Sequence, residues 1–177
     1  MVLNVHSYYS LRYGVISNEE LVKAAMANNS EAMAITDINN TSGVLEFVKL
    51  CLESNIKPIV GMEFRKKDEL LYIALARNNE GFREINELMT EHNLNGNALP
   101  LRPEFEHCYV IYPYGMFQAS ELKENEYAGI RPSQVVRIIT DKTNDKRKYI
   151  ILHTFTYLDF KGYETHKKLR AVDNNIL

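Results

Sequence analysis

The chain has 177 residues, the size of one domain, long enough to bury roughly two-thirds of the surface its unfolded form exposes. With 45% hydrophobic and 25% charged residues it reads as an ordinary soluble globular protein, not a disordered one. Its formal net charge of −2, from 21 basic and 23 acidic residues, speaks against tight duplex binding through a broadly basic face.

Taken in chain order, residues 1–5 are a short apolar run that predicts a strand. Ser17 followed by Glu20 has capping-box spacing, with Ser17 accepting from first-turn amides and Glu20 reaching back. Behind it, Leu21, Val22, Ala25 and Met26 keep a helical stripe until Asn28-Asn29 stops it. Residues 32–36 (AMAIT) read as a buried strand, followed by a turn at residues 37–40. Thr41 or Ser42 is the expected cap of a helix carrying Val44, Leu45, Val48 and Leu52, with Cys51 in its apolar pattern as a small buried hydrophobe. Residues 57–64 (KPIVGMEF) predict a strand with Pro58 at its entrance, where a missing amide costs least. A fourth strand at residues 70–76 leads into a helix through Phe82, Ile85, Leu88 and Met89.

The middle is less regular. Residues 93–103 are polar with two prolines and read as a loop, and residues 108–112 (CYVIY) as a strand ended by Pro113. Residues 115–127 are weakly patterned, with a short strand expected at residues 128–131. Pro132 stands where the first turn of a helix through Val135, Val136 and Ile139 would place it. The most basic stretch, residues 142–148 (KTNDKRK), is interrupted by Asp145 and reads as a solvated turn. Residues 149–153 (YIILH) predict the last strand and residues 163–172 a helix.

Strands alternating with helices of this length imply crossover units and a largely parallel sheet, hence an α/β fold. The expectation is one domain over residues 1–177, cut from a longer chain, since the sequence stops just after a helical segment. Cys51 and Cys108 form no CxxC pair, and no leader or apolar run of membrane-spanning length is present. A reducing cytoplasm and no membrane partner are therefore expected.

Three segments carry a family resemblance. The first is Asn4-Val5-His6-Ser7-Tyr8-Tyr9-Ser10-Leu11-Arg12-Tyr13-Gly14, the second Ala34-Ile35-Thr36-Asp37-Ile38-Asn39-Asn40, and the third Asn55-Ile56-Lys57-Pro58-Ile59-Val60-Gly61-Met62-Glu63-Phe64. In this order they resemble the N-terminal PHP (polymerase and histidinol phosphatase) domain of bacterial replicative DNA polymerase III alpha subunits. Asn55 replaces a glycine of that family, a swap that asparagine's tolerance of the left-handed conformation makes mild. Residues 74–82 are similar to the polymerase version as well. The resemblance implies a PHP-type distorted (β/α) barrel with a mostly parallel sheet of about seven strands.

It also implies a set of site positions. Metal-dependent members hold a cluster of ions at strand ends, where metal lowers the pKa of a bound water and clamps a phosphate. The first two ligand positions fall on Asn4 and His6, the acid of Asp-Gly on Tyr13, and the histidine of Thr-Asp-His on Ile38. The bridging acid falls on Glu63, later ligands on Leu71 and Tyr114, and the closing pair on Thr154 and Thr156, with His153 alongside. Read from their own chemistry, His6 is expected to be a satisfied core or rim histidine, Glu63 a hydrogen-bonded remnant acid, and Asp37 the organiser of its turn with Asn39. His92, His107 and His166 are expected on solvated surfaces.

By the resemblance, the function is that of a structural and interaction domain with a degenerate metal site and no activity of its own. Its parent would be a DNA-directed DNA polymerase, a nucleotidyltransferase of DNA replication that uses magnesium. Expected partners are the rest of the polymerase chain, a proofreading exonuclease subunit, and DNA through the parent chain. No cofactor is expected in the fragment. The rival reading is a weak metal-dependent phosphoesterase or 3′–5′ exonuclease using His6, Glu63, Asp37 and His153, which would carry residual zinc or manganese. A free-standing regulatory domain is the third.

Overall fold

The computed structural model describes residues 2–140 and 145–176. Strands and helices alternate as β1 (Asn4–Val5), α1 (Asn18–Ala27), β2 (Ala32–Ile35), α2 (Val44–Glu53), β3 (Lys57–Lys66), β4 (Glu69–Ala76) and α3 (Asn79–Asn95). They continue as β5 (Cys108–Pro113), β6 (Glu126–Ile130), α4 (Val135–Thr140), β7 (Tyr149–Ile151), β8 (Thr154–Phe155) and α5 (Phe160–Asp173). The α/β expectation holds. The chain forms two compact units, one of Met1–Met62 with Thr154–Leu177, the other of Glu63–His153.

In the first unit β1 pairs in parallel with β8, Asn4 opposite Thr154, and β2 in parallel with β3, Ile35 opposite Val60. Helix α1 carries the predicted capping box, the Ser17 hydroxyl accepting from the Glu20 amide and Glu20 accepting from the Ser17 amide. It buries Leu21, Val22 and Ala25, but Met26 is 52% exposed, because the apolar stripe is wider than the face that meets the sheet. Helix α2 departs further from expectation. Its N-cap is Gly43, with no side-chain cap, and not Thr41 or Ser42. A Cβ at Gly43 would sit 2.4 Å from the Tyr9 ring, so the close approach of that ring accounts for the glycine. The buried face is Val44, Phe47 and Cys51, while Leu45 and Leu52 point outward at 78% and 62% exposure. Asn55 adopts the left-handed conformation (φ 55°), as its replacement of a glycine predicts.

In the second unit β5 and β6, and β6 and β7, are parallel, while β4 and β5 are antiparallel with Ile73 opposite Ile111. The end of β3 turns into β4 through Lys67-Asp68, Lys67 supplying the positive φ of 57°. Phe64, Tyr72 and Tyr112 form an aromatic core, with ring centroids 4.8 Å apart for Phe64 and Tyr72 and 6.1 Å apart for Tyr72 and Tyr112. The Asn78 side chain caps α3 by accepting from the Gly81 amide, and the helix runs on to Asn95, past the loop expected from residue 93. Gly96 ends it at φ 66°. Pro132 opens a 3-10 turn, Pro132–Gln134, that feeds α4, where Val136 is exposed.

The strand predicted over residues 149–153 is corrected. It ends at Ile151 in β7, and Thr154–Phe155 forms the separate strand β8, which raises the count among the described residues from about seven to eight. Of the basic stretch, Lys142, Thr143 and Asn144 lie outside the described residues. Asp145 caps a 3-10 turn, Lys146–Lys148, with exposed Arg147 paired to it at 3.0 Å. Among the described residues no helix is long and apolar enough to cross a membrane.

Glu126 is buried in the second unit and held by Arg102, whose Nε donates at 2.9 Å, by the Lys123 amide at 2.8 Å and by the Tyr112 hydroxyl at 3.2 Å. Burial alone would raise its pKa, but the Arg102 guanidinium and these donors together bring it below the usual carboxylate range.

Candidate functional site

Strand β1 delivers Asn4 and then His6. Asn4 is fully buried and its amide is engaged on both sides: Nδ2 donates to Thr154 Oγ1 at 3.0 Å, and Oδ1 accepts from Thr36 Oγ1 at 2.9 Å. The same threonine oxygen accepts from the Val5 amide at 2.9 Å. The parallel register that sets Asn4 opposite Thr154 makes this pairing local. His6 is equally buried, its Nδ1 lying 3.2 Å from Thr156 Oγ1 and its ring meeting Tyr13 edge-on at 5.3 Å. It is the satisfied core histidine that its sequence context suggests.

Asp37 does something other than expected. Its carboxylate accepts from the Ser7 amide at 2.7 Å, the Ser7 hydroxyl at 2.7 Å and the Ser10 hydroxyl at 2.6 Å. Its charge thus organises the loop after β1 and not its own turn with Asn39. Ser10 Oγ in turn accepts from the Ile38 amide at 3.0 Å, and Asn40 Nδ2 donates to the Tyr9 carbonyl at 2.6 Å. Gly14 closes the loop where a Cβ would lie 1.8 Å from the Ser7 carbonyl oxygen. Sequence reasoning misses Ser7, Ser10 and Thr36 as site residues; the repeated serines and an aspartate at the end of a buried strand are the available signal.

Tyr13, at an acid position of the family pattern, is half-buried. Its ring meets His166 edge-on at 4.8 Å and lies under the Arg170 guanidinium at 5.2 Å. His166 is therefore packed, not solvated, and its Nδ1 donates to the Tyr13 carbonyl at 2.7 Å. His92 donates to the Asn97 carbonyl and His107 lies beside the Asn78 amide, so neither stands free in solvent. Ile38 offers only carbon.

In the second unit Glu63 is a fully buried acid on β3, ion-paired with Arg65 two residues along the same strand face. Arg65 escapes the sequence reading, although an acid and a base two apart on a predicted strand share a face. Leu71 is buried in β4, Tyr114 follows β5 with its ring 6.2 Å from that of Tyr149, and His153 is exposed. Among the described residues no three His, Cys, Asp or Glu side chains gather as a metal-binding group. A carboxamide, threonine hydroxyls, a phenol and aliphatic carbon are weak or useless ligands for transition ions.

The family model described as PHP domain matches residues 3–163. DNA polymerase III subunit alpha of Ureaplasma parvum is 37% identical over 83 residues, covering 47% of this chain and 8% of that protein. The Staphylococcus aureus protein of the same name is 35% identical over 96 residues, covering 52% and 9%. That of Haemophilus influenzae is 36% identical over 105 residues, covering 55% and 9%. The match thus spans less than a tenth of the length of these relatives. Among solved structures, an amidohydrolase from Chromobacterium violaceum resembles the chain with a TM-score of 0.40 and 20% identity, over 53% of this chain and 34% of that one.

Proposed function

The chain belongs to the PHP domain family, and from that membership we propose that it is a structural and interaction module of a replicative DNA polymerase III alpha subunit, itself without hydrolytic activity. The observation that carries the reading is Asn4. At the first ligand position of the family pattern stands a neutral amide whose oxygen and nitrogen are both engaged, by Thr36 and Thr154. The rival set is weakened in the same way. Asp37 is committed to Ser7 and Ser10, and Glu63 to Arg65. What remains does not fit a cluster of divalent ions, which needs several charged donors converging on shared metals. The metal site is read as degenerate.

On this reading residues 1–177 are one domain from the start of a longer polymerase chain. That chain would extend primers with magnesium held by carboxylates elsewhere, in the cytoplasm. The module would pack against the polymerase body and offer its surface to a proofreading exonuclease subunit, meeting DNA only through the parent chain.

The test uses the 177-residue chain purified without chelator. It should keep its circular dichroism spectrum in EDTA and release no nucleotides from single-stranded DNA with manganese or zinc added. Metal-stimulated release that disappears in Glu63→Ala would overturn the proposal in favour of a phosphoesterase or exonuclease.

A further inference from the structure

Strand β3 puts Met62 and Phe64 on one face and Glu63 and Arg65 on the other. Phe64 packs on Tyr72 at 4.8 Å and Phe105 at 6.3 Å, which fixes the face on which the acid and the base must both lie. The Glu63 side chain is wholly buried and that of Arg65 is 12% exposed. A carboxylate cut off from water must find a cation or take up a proton.

We infer that the Arg65 guanidinium is the resident cation of Glu63, a counter-ion built into the same strand at the position the family gives to a metal-bridging acid. This rests on the reading above and explains why an acid survives among neutral replacements. Charge balance favours it. One guanidinium neutralises one carboxylate, whereas a divalent ion would bring two further charges beside Arg65. The nearby ligand position on β4 is Leu71, which contributes none. Geometry favours it as well. Side chains two apart on a strand already face the same way, so little ordering is needed, and the planar guanidinium stays charged at any working pH and matches the carboxylate edge. Glu63 and Arg65 form an interdependent pair: either alone is a buried charge without its complement.

The experiment compares thermal midpoints of the wild-type chain, Arg65→Ala, Glu63→Gln and the double variant, each in EDTA and in manganese. Arg65→Ala should lower the midpoint by about 6–15 °C, the size expected for stranding one partner of a buried pair. Adding Glu63→Gln to it should restore more than half of that loss, and the wild-type midpoint should be the same in manganese and EDTA. Where Arg65→Ala does not fold, a folded double variant supports the pairing equally well. The inference is overturned if the double variant is no more stable than Arg65→Ala, or if manganese raises the wild-type midpoint and Glu63→Gln abolishes the rise. Failure of the rescue would remove the counter-ion and leave the module reading intact; metal-dependent nucleotide release would remove the module reading whatever the rescue shows.

Discussion

Nδ1 of His166 donates a 2.7 Å hydrogen bond to the carbonyl oxygen of Tyr13, joining residues 153 positions apart and tying helix α5 to the loop that follows β1. The bond fixes the proton on Nδ1, since a carbonyl can only accept. Around it the Tyr13 ring contacts His166 and Arg170, and Arg12 reaches Asp173 at 3.2 Å. Helix α5 has no fully buried residue, so these polar and aromatic contacts do much of what a core stripe does for α1 and α2.

His166→Ala should therefore loosen α5 selectively. The loss of one such hydrogen bond is worth about 1 kcal/mol, roughly a fivefold gain in the open population. Amide hydrogen exchange should quicken along α5 and stay unchanged in α3. Equal acceleration in both helices would show that the anchor is not local.

Asp37→Asn should be costly despite its shape. It removes the charge from three short bonds and turns a donor toward Ser7 or Ser10, a loss of about 2–4 kcal/mol. Urea unfolding of the variant should show the midpoint fall accordingly. A change below about 0.5 kcal/mol would mean that the serines find other acceptors.

Tyr72→Phe should go the other way. The Tyr72 hydroxyl is buried with no hydrogen-bond partner among the described residues, and burial pushes its pKa above the usual tyrosine value. Deleting it removes a desolvated dipole and leaves the ring contacts with Phe64 and Tyr112. Stability should be unchanged or higher by up to about 1 kcal/mol. A loss of that size would point to a partner for the oxygen.

Glu126 sets an acid limit. Its folded pKa lies below its unfolded value of about 4.3, so its stabilisation is complete above that value and is lost as pH falls through the folded pKa. The stability gap between wild type and Glu126→Gln should be constant near neutrality and shrink below about pH 4.5. A gap independent of pH would disconnect the carboxylate from acid unfolding.

The two thiols should resist alkylation in the folded chain. Burial pushes Cys51 up to about 11, and burial with the nearby Glu84 charge raises Cys108 as well. At pH 8 the thiolate is scarce and inaccessible, so iodoacetamide should label both residues only after denaturant is added. Rapid native labelling of either would contradict its burial.

Much of the local structure is legible in the sequence, because the signals are short-range and unambiguous. Ser17 and Glu20 stand three apart and cap α1, Asn55 takes the left-handed turn, and residues 57–64 run as a strand from Pro58. Some choices are not. Met26, Leu45 and Leu52 fit the helical stripes yet lie outside the buried faces, since an apolar helix offers more than one plausible face and only the neighbouring sheet selects it. Gly43 is a cap because the Tyr9 ring sits against it.

For the site, the order of residues is enough to say which side chains stand at the family's ligand positions, and so that Ile38 and Leu71 bring no donor atoms. What the remaining polar groups do is settled by the fold alone. Asn4 turns to Thr36 and Thr154, Asp37 to the serines after β1, and Glu63 to Arg65. A buried polar atom must be satisfied, and its partner is chosen by register and close approach, neither of which is written in a linear string of side chains.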